Sequence, residues 1–400
     1  MRFITLKGIT TILAGVFISA SISSCKSHNE PQNKEVIVGA ERVDEYIPLL
    51  KGKKVALFSN HTGMVGDKHT LDVLIDNGID VVTIFAPEHG FRGTIEGGEH
   101  INSSVDEKTG VPISSAYNIK DNGEPDSLMS QIDVIISDIQ DVGLRYYTYY
   151  VSMISLMERA KRNGKEFMIL DRPNPNGMYV DGPVFDMNYK SDVGRLPIPT
   201  AHGMTLGELA QMANGEGWLE GGDQVKLTVI PCENYTHQTR YRLPINPSPN
   251  LRNMTAVYLY PSLCYFEATP VSLGHGTDFP FQVYGHPDMN GYDFSFTPVS
   301  DSISPHPRLE DQVCYGVSLR EISDDDAIAQ GVSFAYIIDA YNALGLGDDF
   351  FTRRFDYLAG NGEIRKMIEE GKTDAEIKAT WAEDVKKFKE QRKPYLLYEE

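Results

Sequence analysis

Short apolar runs alternate with amphipathic stretches along the first 230 residues. KKVALF (53–58), DVVTIF (80–85), IDVIIS (132–137), KEFMIL (165–170) and VKLTVI (225–230) are too short for helices. They lack polar alternation, the pattern of strands buried on both faces. Between them, HTLDVLIDNG, YYVSMISLMERAKRNG and a stretch opening at Thr205 have helical spacing. In the second of these, Val151, Ile154 and Met157 recur at three-residue steps and Gly164 stops the helix. The alternation predicts an α/β fold: a Rossmann-like, mostly parallel sheet with helices on both faces. No G-x-G-x-x-G follows any of these strands, so no dinucleotide is implied.

From about Asn234 the texture changes. HQTRYRLPINPSPNLRN is rich in Pro and Asn and reads as a crossover into a smaller α+β C-terminal domain. There DDAIAQGVSFAYIIDAYNALG predicts one helix, and Thr373 with Glu376 predicts a capping box. Beyond it Ile377, Trp381, Val385 and Phe388 share one apolar face. The expected domains are 36–235 and 236–400. Ahead of them, a basic start and an apolar run ending in SISSC predict a signal peptide over 1–24. Cys25 then becomes the lipidated first residue, with 25–35 as tether. This places the protein in the periplasm, anchored to a bacterial membrane, the outer one being the expected side.

Composition adds exclusions. Hydrophobic content of 41% and charged content of 23% are those of an ordinary globular protein. A net charge of −19 argues against nucleic acid as a partner. Cys232, Cys264 and Cys314 fit no metal spacing and read as small buried thiols, with at most one pair able to bridge. A G-x-S-x-G elbow, a P-loop and H-E-x-x-H are missing, which removes serine hydrolase, NTPase and zinc protease readings.

The chemistry gathers where strands end. Asn60-His61, Glu88-His89, Asp138-Gln140-Asp141 and Asp171-Arg172-Asn174 each follow an apolar run. Ligands of open parallel sheets bind at the carboxyl ends of strands, so these residues predict one shared cleft. Glu88 beside His89 suits a general acid or base, or else a loop ion pair with Arg92. Glu99, after a glycine-rich turn, reads by itself as a solvent-exposed loop acid. DIQDVGLRYYTYY combines Gln140, Asp141, Arg145 and Tyr146 with further tyrosines, which suits a carbohydrate or a tyrosine core. Asp138 and Asp141 have no His or Cys at ligand spacing, so no metal and no cofactor is expected. Glu208, three residues after Thr205, is explained by a second capping box, whereas His202 just before it is not. Glu267 precedes the GHGT loop with His275 and would supply a second carboxylate for a glycosidase pair.

Taken in order, FAPEHGFRG, GGE, DIQDVGLRYYTY, LDRPNPNG, the GP of DGPVFD, PIPTAHGMTLGELA, PSPN, YPS with Glu267, GHGTDFPF and a C-terminal LLY resemble the exo-β-N-acetylmuramidase family. The resemblance implies a glycoside hydrolase that removes terminal β-1,4-linked N-acetylmuramic acid (MurNAc) from the non-reducing end of peptidoglycan fragments. It also implies a site between a Rossmann-like domain and a smaller one. Glu88 becomes the leading catalytic acid, with His89, Asp141 and Glu267 as further catalytic candidates. Asn60, Arg92, Glu99, Gln140, Arg145, Tyr146, Asp171, Arg172, Asn174, His202 and His275 become substrate-binding candidates. Among these, Arg92, Arg145 or Arg172 would meet the lactyl carboxylate, and Asp141 would orient the acetamido group. One departure is His275, where the family pattern has Arg. Two other readings fit the same scaffold: a non-catalytic muropeptide- or sugar-binding protein, and an N-acetylglucosaminidase.

Overall fold

The computed structural model describes residues 34–87, 90–91, 104–116 and 126–400. The apolar runs fold as strands within two residues of their expected bounds. In chain order the strands of the N-terminal part are β1 (Lys54–Ser59), β2 (Met64–Val65), β3 (Lys68–His69), β4 (Asp80–Ala86), β5 (Ser104–Val105), β6 (Pro112–Ser115), β7 (Val134–Asp138), β8 (Glu166–Leu170) and β9 (Lys226–Ile230). One sheet runs β5-β6-β4-β1-β7-β8-β9, with every neighbour parallel except the edge strand β5. Its six parallel strands follow the doubly wound order 3-2-1-4-5-6. The direction of winding reverses between β1 and β7, where Ser59 pairs with Asp138 at the carboxyl end.

Apolar side chains cover both faces of this sheet. Val55, Leu57, Ile84, Ile136 and Leu170 point into one cluster with Tyr46 and Leu74. Phe58, Phe85, Phe167 and Ile169 point into a second, larger one. That larger cluster passes through helix Tyr149–Arg162 to helix Met254–Leu263, and on to Phe334, Phe355 and Trp381. The two halves of the sequence therefore share a core, and Val36–Glu400 packs as one unit. The C-terminal half adds the antiparallel strands β10 (Val283–His286), β11 (Phe294–Phe296) and β12 (Cys314–Ser318), in the order β10-β12-β11.

Two helix expectations change. The stretch 325–345 falls in two helices, Asp324–Gln330 and Ala335–Leu344, not one. Gly331 breaks it at φ +61°, where a Cβ would lie 2.4 Å from Asp181 Oδ2. The same oxygen accepts the Val332 N–H at 2.9 Å, so the break is fastened to the N-terminal half. The terminal helix also divides, into Asp374–Ala379 and Ala382–Arg392, with the Thr373–Glu376 capping box in place. Ile377, Trp381 and Phe388 still share the buried side. Cys232, Cys264 and Cys314 are free and buried.

Candidate active site

At the reversal point the strand ends are tied to each other by side chains. Arg172, two residues beyond β8, reaches across to β7: its Nε donates to Asp138 Oδ1 at 2.6 Å and its Nη2 to Oδ2 at 3.1 Å. Nη2 also donates to the Met64 carbonyl at 2.9 Å. Asp138 is fully buried and Arg172 nearly so. Thr70 donates its hydroxyl to the same carboxylate. Removing one member of such a pair strands the other charge in a low dielectric. Arg172→Ala should therefore lower unfolding free energy by about 3–5 kcal/mol. Urea denaturation checks this, and a variant as stable as the parent contradicts it.

Asn60 closes the end of β1. Its Oδ1 accepts the Thr62 N–H at 3.0 Å and the Thr62 hydroxyl at 2.6 Å, and its Nδ2 donates to Tyr149 Oη at 3.0 Å. Tyr149 in turn donates to the Pro247 carbonyl at 3.1 Å, as does Tyr147 at 2.9 Å. His61 Nε2 lies 2.8 Å from the Asn246 carbonyl. The PSPN loop is thus pinned over the strand ends by the tyrosines of DIQDVGLRYYTYY. Gln140 lines the same edge, its Nε2 donating to the carbonyls of Asp141 (2.8 Å) and Pro173 (2.7 Å).

Asp141 differs from its neighbours. One carboxylate oxygen, Oδ1, accepts the Gly143 N–H at 2.6 Å. The other, Oδ2, is buried and has no hydrogen-bond partner among the described residues. Burial raises its pKa to about 7, against the opposing pull of the Gly143 and Val142 N–H groups. Gly143 makes this geometry possible: φ is +76°, and a Cβ there would fall 2.1 Å from the Asn174 side chain. A carboxyl poised near neutrality, with one unsatisfied oxygen, can accept or give a proton.

The other described candidates are tied into hydrogen-bond networks around the strand ends and the C-terminal half, although His202 Nε2 and Arg145 Nε and Nη1 are buried without a partner among the described residues. Asp171 is fully enclosed and accepts from Thr205 Oγ1 (2.7 Å), Tyr398 Oη (2.6 Å) and the Gly207 N–H (2.9 Å). This explains the LLY motif, whose tyrosine ties the C-terminus to the end of β8. Asn174 bonds the Met204 carbonyl (2.9 Å) and the Asn176 N–H (2.8 Å). His202 is fully buried, and its Nδ1 accepts the Met204 N–H at 3.2 Å. Burial first, then Arg392 and His237, hold its pKa down to about 3, so the ring is neutral. Arg145 is fully buried, and its Nη2 donates to the carbonyls of Leu358 (3.0 Å) and Ala359 (3.2 Å). The guanidinium lies 4.6 Å from the centre of the Phe185 ring. Tyr146 donates to the carbonyls of Pro261 (2.7 Å) and Tyr260 (3.1 Å). Glu208, given no chemistry from its capping box, accepts Thr205 N (2.9 Å) and Leu397 N (2.8 Å).

Glu267 and His275 lie together in the C-terminal half. They line a cavity of about 450 Å³ with Ser304, His306, Arg308 and Arg354, a volume suited to a small ligand. The Gly274–Thr277 loop that forms one wall needs its glycines: a Cβ on Gly276 would sit 2.4 Å from the Val299 carbonyl. Arg252 joins this wall to the PSPN loop, donating to the carbonyls of Thr277 (3.2 Å) and Pro249 (3.1 Å). Rings also connect the two regions. Tyr147, Tyr260, Phe281 and His275 follow one another edge to face, at centroid distances of 6.2, 4.9 and 5.1 Å. Glu88, His89, Arg92 and Glu99 lie outside the described residues, as does Cys25. No cluster of three metal-ligating side chains occurs among the described residues.

Comparison with known proteins decides the family. Residues 55–255 match the model for "Exo-beta-N-acetylmuramidase NamZ, N-terminal" and residues 258–398 that for its C-terminal part. The chain belongs to the NamZ exo-β-N-acetylmuramidase family. It is 34% identical to the peptidoglycan β-N-acetylmuramidase NamZ of Bacillus subtilis (strain 168), covering 98% of this chain and 100% of that protein. A crystal structure of a DUF1343 family protein from Bacteroides fragilis NCTC 9343 superposes with a TM-score of 0.86 at 56% identity, over 92% of this chain and 100% of the other. A second DUF1343 family protein of the same organism gives 0.76 at 26% identity, over 91% and 99%. The two family segments meet at residues 255–258, at the start of helix Met254–Leu263.

Sequence reading missed three features of this family member. Tyr147 and Tyr149 clamp the PSPN loop, a role their density in one segment could have suggested. Asn250 Oδ1 is buried with no partner among the described residues. Arg308 and Arg354 enter the Glu267 cavity from loop and helix positions that carry no local motif.

Proposed function

We infer that this protein is an exo-acting β-N-acetylmuramidase that removes terminal MurNAc from the non-reducing end of peptidoglycan fragments. The observation that carries this reading is membership of the family over nearly the whole chain, 98% of it in one alignment with a peptidoglycan β-N-acetylmuramidase. Two features of the fold support it: a buried carboxyl, Asp141, whose pKa burial raises to about 7 at the reversal point of the sheet, and a sugar-sized cavity carrying a second carboxylate, Glu267. In this reading Glu88, next after Pro87 at the end of β4, gives its proton to the glycosidic oxygen. Asp141 uses its unsatisfied Oδ2 to orient the acetamido group or an attacking water. The test is hydrolysis of aryl glycosides: the β-N-acetylmuramide should be turned over and the β-N-acetylglucosaminide at most weakly. Equal rates favour a general hexosaminidase, and no turnover of either favours a binding protein.

The same proposal includes the location. SISSC at the end of the apolar run supports lipidation at Cys25 and a membrane-anchored periplasmic enzyme, placed where wall fragments are released. Cys25→Ser should move the protein from the membrane fraction to the soluble periplasmic fraction. Unchanged membrane association would contradict the anchor.

A further inference from the structure

The cavity at Glu267 has a charge pattern opposite to that of the molecule. The chain carries a net charge of −19. Yet among the described residues Arg308 and Arg354 face this cavity against the one carboxylate of Glu267. Arg308 is held by main-chain acceptors: Nη1 donates to Phe266 (3.2 Å) and Val271 (3.4 Å), and Nη2 to the carbonyl of Glu267 (3.1 Å). Carbonyls position a guanidinium without neutralising it. Arg354 opens helix Arg354–Ala359, and no hydrogen bond or ion pair holds its side chain among the described residues. His275 adds no charge. Burial, then Arg308 and Arg252, push its pKa down to about 4, and its buried Nε2 has no partner among the described residues. Among the described residues, two guanidinium groups against one carboxylate leave one positive charge, the complement of a ligand with one negative charge.

We propose that this cavity is the carboxylate subsite of the enzyme, where Arg308 and Arg354 hold the 3-O-lactyl carboxylate of the terminal MurNAc and His275 Nε2 meets a polar group of the sugar. The assignment rests on the muramidase reading and gives it a basis for substrate choice. Of the arginines named from the sequence, Arg172 is paired with Asp138, Arg145 is fully buried with Nη2 on the carbonyls of Leu358 and Ala359, and Arg92 lies outside the described residues. Among the described residues, Arg308 and Arg354 are the cations that face this cavity.

The experiment compares an aryl β-N-acetylmuramide with its lactyl methyl ester, in the parent enzyme and in Arg354→Gln and Arg308→Gln. The parent should prefer the acid. Arg354→Gln should raise KM for the acid about ten- to a hundredfold, leave the ester unchanged, and keep kcat within a few-fold. Arg308 also ties three carbonyls, so its variant can lose the fold. Arg354 is exposed, and its variant carries the test alone once thermal melting shows it intact. A folded Arg354→Gln that still separates acid from ester as the parent does overturns the assignment, and so does equal loss on both substrates. A parent that cleaves only glucosaminides overturns the muramidase reading instead.

Discussion

Glu88→Gln should cut kcat on a MurNAc disaccharide by about a hundred- to ten-thousand-fold, the usual worth of a positioned general acid. The strand that leads to it is fixed on both sides. β4 pairs Phe85 with Phe58 of β1 and Ala86 with Ser115 of β6, so Pro87 leaves the sheet at its carboxyl edge. Glutamine keeps the shape and loses the transferable proton. Folding and sugar binding should therefore stay near normal, as thermal melting and titration with MurNAc would report. An aryl glycoside with a good leaving group needs less protonation, so its rate should fall less than that of the disaccharide. Near-normal turnover of the disaccharide by Glu88→Gln would remove Glu88 from the mechanism and turn attention to Glu267.

Asp141→Asn should be the second large loss, about a hundredfold or more in kcat. It should also change the pH profile. If Asp141 acts ionised, kcat/KM of the parent rises through its raised pKa of about 7. Asparagine has no such titration, so that limb should vanish. Stability should move the opposite way. A carboxyl whose folded pKa lies above its unfolded value binds more protons when folded, so the parent loses stability as pH rises from about 4 to about 7. Above that window the ionised, partly unsatisfied group is a constant burden. Asparagine still accepts from Gly143 and carries no charge, so the variant should melt a few degrees higher than the parent at pH 8 and close to it at pH 4. An Asp141→Asn enzyme with an unchanged acidic limb and an unchanged melting curve at pH 8 would show that Asp141 neither titrates near 7 nor acts in the reaction.

Much of the fold was legible because its signals are local. KKVALF, DVVTIF, IDVIIS, KEFMIL and VKLTVI are short and wholly apolar, which only strands covered on both faces require. The splits at Gly331 and near Trp381 were not legible. The first depends on Asp181, far away in sequence, filling the space beside a positive-φ glycine. The site divides in the same way. Polar strand ends marked the reversal point where Asn60, Gln140 and Asp141 come together. What each side chain does there depends on partners the sequence does not reveal. Arg172 looks like an anion ligand until Asp138 is seen opposite it. Arg145 is fully buried, with Nη2 on the carbonyls of 358 and 359, a setting that nothing in its own segment signals. Arg308, 41 positions beyond Glu267, has no sequence signal, since the cavity wall that joins them is built from loops.

The exo-muramidase account is tested most directly by offering the enzyme two disaccharides that differ only in order, MurNAc-β-1,4-GlcNAc and GlcNAc-β-1,4-MurNAc, where GlcNAc is N-acetylglucosamine, and following free MurNAc by mass spectrometry. The account predicts rapid release from the first, where MurNAc is the non-reducing sugar, and none from the second. Cleavage of the second at a comparable rate, or of neither, would contradict it.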